Sequence, residues 1–164
     1  MTRVALLTRE AAAVAPLAVA LRGGGCAVVV VSPPAPRAAE AVLRRRGFTG
    51  PLAHVPLALA ELLRGRFDVA HAFSPPDALA ARAWQARAGG PVVFTGTEVL
   101  GRETVADSRL RLRLLQDAVT RSDAVLASTP AVRDAMARWL AVDAPVLEPA
   151  EHAALYRKLI SLRG

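Results

Sequence analysis

The sequence predicts an α/β domain, a doubly wound and mostly parallel sheet of about seven strands with helices on both faces. Three observations point there. Short runs that are apolar throughout alternate with longer segments of helical spacing. Glycine or proline punctuates nearly every junction between them. A chain of 164 residues, 53% hydrophobic, is long enough to bury one core.

The elements follow in order. Arg3 to Thr8 reads as a buried strand. In the next segment Val14, Leu17, Ala18 and Leu21 recur at i, i+3, i+4 and i+7, which predicts a helix. It reads from Glu10 to Leu21, or from near Ala15 with Pro16 in its first turn, and Gly23-Gly24-Gly25 stops it. Cys26 to Val31 is a strand, ended by Pro33, Pro34 and Pro36. Ala38 to Arg46 is a helix closed by Gly47. Leu52 to Val55 reads as a short strand and Leu57 to Leu63 as a short helix.

Asp68 to Phe73 is a strand, after which Pro75 and Pro76 open a helix that Gly89-Gly90 ends. Pro91 to Thr95 is a strand. Val105 to Arg121 is the longest helix; RLRLRLL alternates as a strand does, but length and the lack of turn signals favour helix. Ala124 to Ala127 is a strand. Thr129 then suits an N-cap and Pro130 a first helical position, for a helix to about Leu140. Pro145 to Leu147 reads as a last strand, and Pro149 opens a closing helix through Ser161. The result is one Rossmann-like domain over 1–148 with a closing helix over 149–164 packed back on it.

Composition narrows the function. A charged fraction of 21% and a mean hydropathy of +0.32 exclude a disordered chain. No apolar run is long enough to span a bilayer, and Arg9 and Glu10 interrupt any signal peptide. The lone Cys26 forms no internal disulfide, so a cytoplasmic location is expected. Alanine supplies 35 residues, and Lys158 is the only lysine among 21 Lys and Arg. A bias toward G and C bases explains both, so a net charge of +7 need not record a nucleic-acid partner. Aromatic residues, at 4%, provide no stacking platform for single strands, which speaks against nucleic acid. The clusters Arg44-Arg45-Arg46 and Arg109, Arg111, Arg113 are either solvated helix faces or a peripheral surface for anionic membrane.

In doubly wound sheets the ligand crevice lies beyond the carboxyl ends of the strands. That selects Thr8 to Glu10, Ser32, His71 to Ser74, Thr95 to Glu98, and Ser128-Thr129. The first turn has no glycine, which speaks against a dinucleotide or P-loop reading, and no cofactor is expected. His54, His71 and His152 lack the spacing of a helical zinc motif, and no metal is expected. His71 is either a core histidine with two partners or a ring that bonds a ligand hydroxyl. Ser128 and Thr129 either cap a helix or also bind a hydroxyl or phosphate there. Glu98 is the one carboxylate positioned for acid–base work; its alternative is a solvated loop residue.

The order of these pieces resembles a known family. Phe67 to Phe73 (FDVAHAF) looks like the "fDvvHaH" strand of family-4 retaining glycosyltransferases. Pro91 to Thr97 (PVVFTGT) looks like their "vPvvxTxH" strand and loop, and Ser122 to Pro130 (SDAVLASTP) like their "aDaviavSp" strand. Arg3 to Thr8 matches more weakly, and the resemblance covers roughly residues 1–148.

The resemblance implies the N-terminal, acceptor-side half of a GT-B fold. In that family a second Rossmann-like lobe binds the nucleotide sugar, and transfer occurs between the two. Its entry turn is replaced here by Pro145-Val146-Leu147-Glu148-Pro149, while Ala150 to Leu162 looks like the family's final helix. The family's glycine-rich first loop is Arg9-Glu10-Ala11-Ala12 here. Thr97 stands where the "TxH" histidine stands, Phe73 replaces the second histidine of "HaH", and His71 is retained.

Three readings follow. In the first, the chain is a glycosyltransferase half, inactive alone. It takes part in transfer from a nucleotide sugar only with a donor-domain protein. Arg9, His71, Ser74, Thr95, Thr97, Ser128 and Thr129 would then form the acceptor side, with Thr97 at the family's histidine position and Glu98 as an alternative catalytic group. In the second, it is a non-catalytic binding module, for instance a homodimer through the open cleft. The third is a basic nucleic-acid or membrane-surface protein.

Overall fold

The computed structural model describes residues 1–32, 50–103 and 109–163. The expected helix at Ala38 to Arg46, its Arg44-Arg45-Arg46 cluster, and the start of the helix expected from Val105 lie outside them. Five strands are present among the described residues: β1 (Arg3–Leu7), β2 (Ala27–Val31), β3 (Val69–Ala72), β4 (Val92–Gly96) and β5 (Ala124–Ala127). Six α-helices accompany them: α1 (Ala15–Gly23), α2 (His54–Gly65), α3 (Pro75–Ala88), α4 (Arg109–Arg121), α5 (Pro130–Leu140) and α6 (His152–Ser161).

All pairings are parallel, in the order β2-β1-β3-β4-β5. The fold class expected from the sequence is therefore present, with five strands in place of about seven. Two expected strands are missing. Gly50–Ala53 is a 3-10 turn leading into α2, and Pro56 sits in that helix's first turn, where a missing N–H costs nothing. Pro145 to Leu147 pairs with no strand; Ala127 N donates to Pro145 O at 3.0 Å as an isolated bond.

Side-chain alternation sorts the core into two layers, as a period of two requires. Val4, Leu6, Val69, Val93 and Leu126 face α1 and α6, through Val14, Ala18, Leu21, Ala153, Tyr156 and Leu159. Ala5, Leu7, Ala70, Ala72, Val92, Phe94 and Ala127 face the opposite layer, where α2, α3, α4 and α5 pack around Trp84. The closing helix thus lies back on the sheet, as the sequence suggested.

Punctuation follows local chemistry. Ser74 caps α3 ahead of Pro75 and Pro76, and Gly89 ends it at φ 78°, a conformation that suits glycine. Thr129 caps α5 ahead of Pro130. Strand order reverses at β1, whose neighbours are β2 and β3, so the tips of β1, β3 and β4 frame the crevice expected in such sheets. No helix among the described residues is long and apolar enough to cross a membrane.

Candidate functional site

A cavity of about 60 Å³ opens at the carboxyl ends of β3 and β4. Phe73, Ser74 and Pro75 line one side, and Gly96, Thr97 and Glu98 another. Phe94, Leu100, Leu115 and Met136 form its apolar wall. The space suits one or two hydroxyl-sized groups rather than a whole sugar ring.

Of the residues singled out from sequence, Ser74, Thr97, Glu98 and Arg111 come together here. Ser74 Oγ donates to Asp77 Oδ2 at 2.6 Å and accepts from Asp77 N at 3.3 Å. Asp77 is fully buried, and its Oδ1 lies 2.8 Å from Nε2 of the buried His54. Thr97 Oγ1 donates to Phe73 O at 3.3 Å, a bond that joins the two strand tips. Glu98 is exposed and forms an ion pair with Arg111 of α4.

His71 and Thr95 meet each other beneath this cavity and do not line it. His71 is fully buried in β3. Its Nε2 lies 2.6 Å from Thr95 Oγ1, and its Nδ1 lies 2.6 Å from Tyr156 Oη. The ring stacks on Phe73 at 4.3 Å between centroids and faces His152 at 5.7 Å. Both ring nitrogens are therefore used inside the fold. Burial, with His152 adding repulsion, holds the His71 imidazole well below its ordinary range and keeps it neutral. Burial also lowers His152, against a hydrogen bond to Glu148 O and the nearby Glu151 carboxylate. Burial pushes the Tyr156 phenol up.

Arg9, Ser128 and Thr129 stand apart from the cavity. Arg9 is exposed in the bend after β1, where Thr8 Oγ1 accepts from Glu10 N at 3.0 Å and closes the turn. Ser128 N donates to Gly96 O at 2.9 Å, and Thr129 Oγ1 accepts from Val132 N at 3.2 Å as the cap of α5. Among the described residues no group of three or more His, Cys, Asp or Glu is placed to hold a metal ion.

Sequence reasoning passed over Asp77 and Tyr156 and weighed His54 only as a metal ligand. The signal for Asp77 was present: Ser74-Pro-Pro-Asp77 has the spacing of a capping box. Tyr156, 85 positions from His71, carried none.

The family model for Glycosyltransferase Family 4 matches residues 12–147, most of the chain and all five-strand tips but that of β1. The chain belongs to glycosyltransferase family 4. Its fold is similar to about half of two larger solved structures and to nearly all of a shorter one. Sucrose-phosphate synthase from Thermosynechococcus elongatus matches with a TM-score of 0.64 at 12% identity, over 88% of this chain and 47% of that one. A shorter structure from the same synthase matches with a TM-score of 0.63 at 16% identity, over 96% and 99%. S. aureus MnaA, in a structure with UDP, gives a TM-score of 0.56 at 14% identity, over 95% and 46%. This family-4 chain thus spans about half the length of the full synthase and of MnaA. No curated protein matches it by sequence.

Proposed function

We propose that this family-4 chain is the acceptor-side half of a glycosyl-transfer site and works with a donor-binding lobe supplied by another chain. The observation that carries the reading is the cavity at the tips of β3 and β4, where Ser74 and Thr97 present hydroxyls beside an apolar wall. Small polar groups beside an apolar wall suit one or two hydroxyls of a sugar. Residues 141–151 link α5 and α6 directly, with no lobe inserted between them. The nucleotide sugar would bind only once that partner is present. A cytoplasmic location, with exposed Arg109 and Arg113 of α4 turned to anionic membrane, belongs to the same proposal.

The second reading, a binding module without chemistry, draws support from the same tips. Thr97 stands at the family's histidine position, and Glu98 is engaged by Arg111. Transfer needs groups that stabilise a departing nucleoside diphosphate, and the cation in the cavity lining, Arg111, is paired with Glu98.

The test is a two-dimensional NMR titration of the chain with a panel of hexoses and methyl glycosides, and separately with uridine diphosphate sugars. Each is repeated with an isolated donor lobe of a family-4 enzyme. Sugars should shift the amides of Ser74 and of Gly96 to Glu98, and nucleotide sugars should bind only with the lobe present. Nucleotide-sugar binding by the chain alone, or no response to any sugar, would overturn the proposal. Binding without turnover in the mixture favours the second reading.

A further inference from the structure

We infer that the groove between α3 and α4 binds an anionic group carried on an apolar chain, with Arg82 as the residue that receives the charge. No residue of this groove lines the strand-tip cavity, and the inference does not rest on the acceptor-side reading.

The groove follows from helical spacing. Leu79, Arg82, Ala83 and Ala86 stand at i, i+3, i+4 and i+7, so they share one face of α3. Arg113, Asp117 and Arg121, with Leu114 beside them, share one face of α4. Between the two faces lies an open groove of about 500 Å³. From Arg113 to Arg121 it runs about 12 Å along the helix. Leu79, Ala83 and Leu114 are only partly covered by the fold and give it an apolar floor. Removing that floor from water favours an apolar occupant.

The charge in the groove is unbalanced. Three guanidinium groups, from Arg82, Arg113 and Arg121, line it beside the single carboxylate of Asp117. Asp117 Oδ1 pairs with Arg121 Nε at 3.1 Å, one turn along the same helix. Its Oδ2 stands 3.9 Å from Arg82 Nη1, too far for a hydrogen bond. The Arg82 side chain is 23% exposed, yet its Nε and Nη1 are shielded from solvent and have no hydrogen-bond partner among the described residues. Buried donors left in that state cost free energy. The guanidinium can turn toward an incoming anion without giving up a hydrogen bond at either nitrogen. A carboxylate or phosphate would supply the acceptor that the fold leaves out.

The occupant must satisfy both features. A free inorganic anion leaves the apolar floor unused. A second copy of this chain brings its own net charge of +7, which opposes the approach. An alkyl phosphate, a fatty carboxylate, or the headgroup and first acyl carbons of an anionic lipid meets both.

The experiment titrates the whole chain in about 0.15 M salt, where loose attraction to its positive charge is screened. The probe is n-octyl phosphate, kept below its micelle-forming concentration. It should shift the NMR signals of Arg82 Nε–H and of the backbone amides from Arg82 to Ala86 and from Arg113 to Arg121. It should bind at least about tenfold more tightly than inorganic phosphate, through burial of its chain. Arg82→Gln should weaken it about tenfold, the loss of a hydrogen bond to a charged group. Ala86→Glu changes an exposed position one turn from Arg82 and offers that guanidinium a rival carboxylate. It should weaken octyl phosphate by a similar factor, so the outcome does not hang on how Arg82→Gln folds. Arg133→Gln on α5 removes the same unit of charge elsewhere and should leave binding unchanged. Octyl phosphate and inorganic phosphate binding equally, or Arg133→Gln weakening binding as much as the groove variants, overturns the inference.

Vesicles of phosphatidylglycerol in phosphatidylcholine separate the two sources of such a group. Vesicle binding that Arg82→Gln and Ala86→Glu both weaken assigns the groove to a lipid headgroup. Octyl phosphate binding without vesicle binding assigns it to a soluble amphiphile. Vesicle binding that the groove variants leave unchanged, with no binding of octyl phosphate, belongs to the charged face of α4 alone and overturns the inference. No sugar enters either arm, so the acceptor-side reading stands or falls separately.

Discussion

Tyr156 Oη lies 2.6 Å from Nδ1 of His71, joining the closing helix α6 to the middle strand of the sheet. Thr95 Oγ1 takes the other ring nitrogen at 2.6 Å, so three side chains from α6, β3 and β4 share one buried chain of hydrogen bonds. Each member satisfies the next, and removing one leaves a buried polar group without a partner.

Tyr156→Phe should therefore destabilise the fold by about 1–3 kcal/mol, although ring packing is unchanged. Urea denaturation measures the loss. Native-state hydrogen exchange should show α6 amides speeding more than those of α3, because the lost bond tethers only α6. Uniform acceleration across the sheet would contradict this assignment.

Acid should loosen the same region. The fold keeps His71 and His152 neutral, whereas in the unfolded chain each titrates near its ordinary value of 6.5. Between the depressed folded value and 6.5 the unfolded chain binds protons that the fold refuses, so stability is complete above that range and falls as pH drops through it. The fully buried His71 sets a slope of about 1.4 kcal/mol per pH unit. His152 adds in the same direction. Denaturation midpoints from pH 7.5 down to 5 should fall, and His152→Gln should make the fall shallower.

Asp123 fastens the opposite end of the sheet. Its Oδ2 accepts from Val92 N at 2.7 Å and from Gln85 Nε2 at 2.7 Å, and its Oδ1 accepts from Arg163 at 2.6 Å. Burial alone would raise its carboxyl, but these hydrogen bonds and the Arg163 charge outweigh it and hold the group below its ordinary value of 3.8. Asp123→Ala should cost about 1–3 kcal/mol, since it strands a backbone N–H at the start of β4. The Asp123 contribution is complete above pH 3.8 and fades as pH falls through the lower folded value, so the gap between wild type and Asp123→Asn should close in acid.

The sequence made most strands legible because β1, β3 and β4 are buried on both faces and read as unbroken apolar runs. It misread Leu52 to Val55 for the same reason: four residues of that kind do not distinguish a strand from the start of a helix. The strand-tip rule located Ser74, Thr97 and Glu98, whose cavity is a consequence of topology. It also gathered His71 and Thr95, yet their side chains point into the core, toward Tyr156, because β3 and β4 alternate faces. A contact made by a helix 85 positions away leaves no local pattern to read.

Gly96 offers a test of the cavity that leaves the polar groups in place. It is the last residue of β4, and a Cβ there would lie 2.7 Å from Met136 Sδ and 3.4 Å from Val132 Cγ1. The closest neighbour is the sulfur of a flexible side chain, which can swing away where backbone could not. Met136 is itself a wall of the cavity, and the open side available to it is the cavity. Gly96→Ala should therefore cost less than about 1.5 kcal/mol of stability, the range of a tolerated repacking. It should weaken sugar binding much more, by filling the space a ligand hydroxyl would enter. Thermal denaturation and the sugar titration, run on the same preparation, separate the two effects. A large loss of stability with binding intact would mean that Met136 cannot move and that the ligand lies elsewhere.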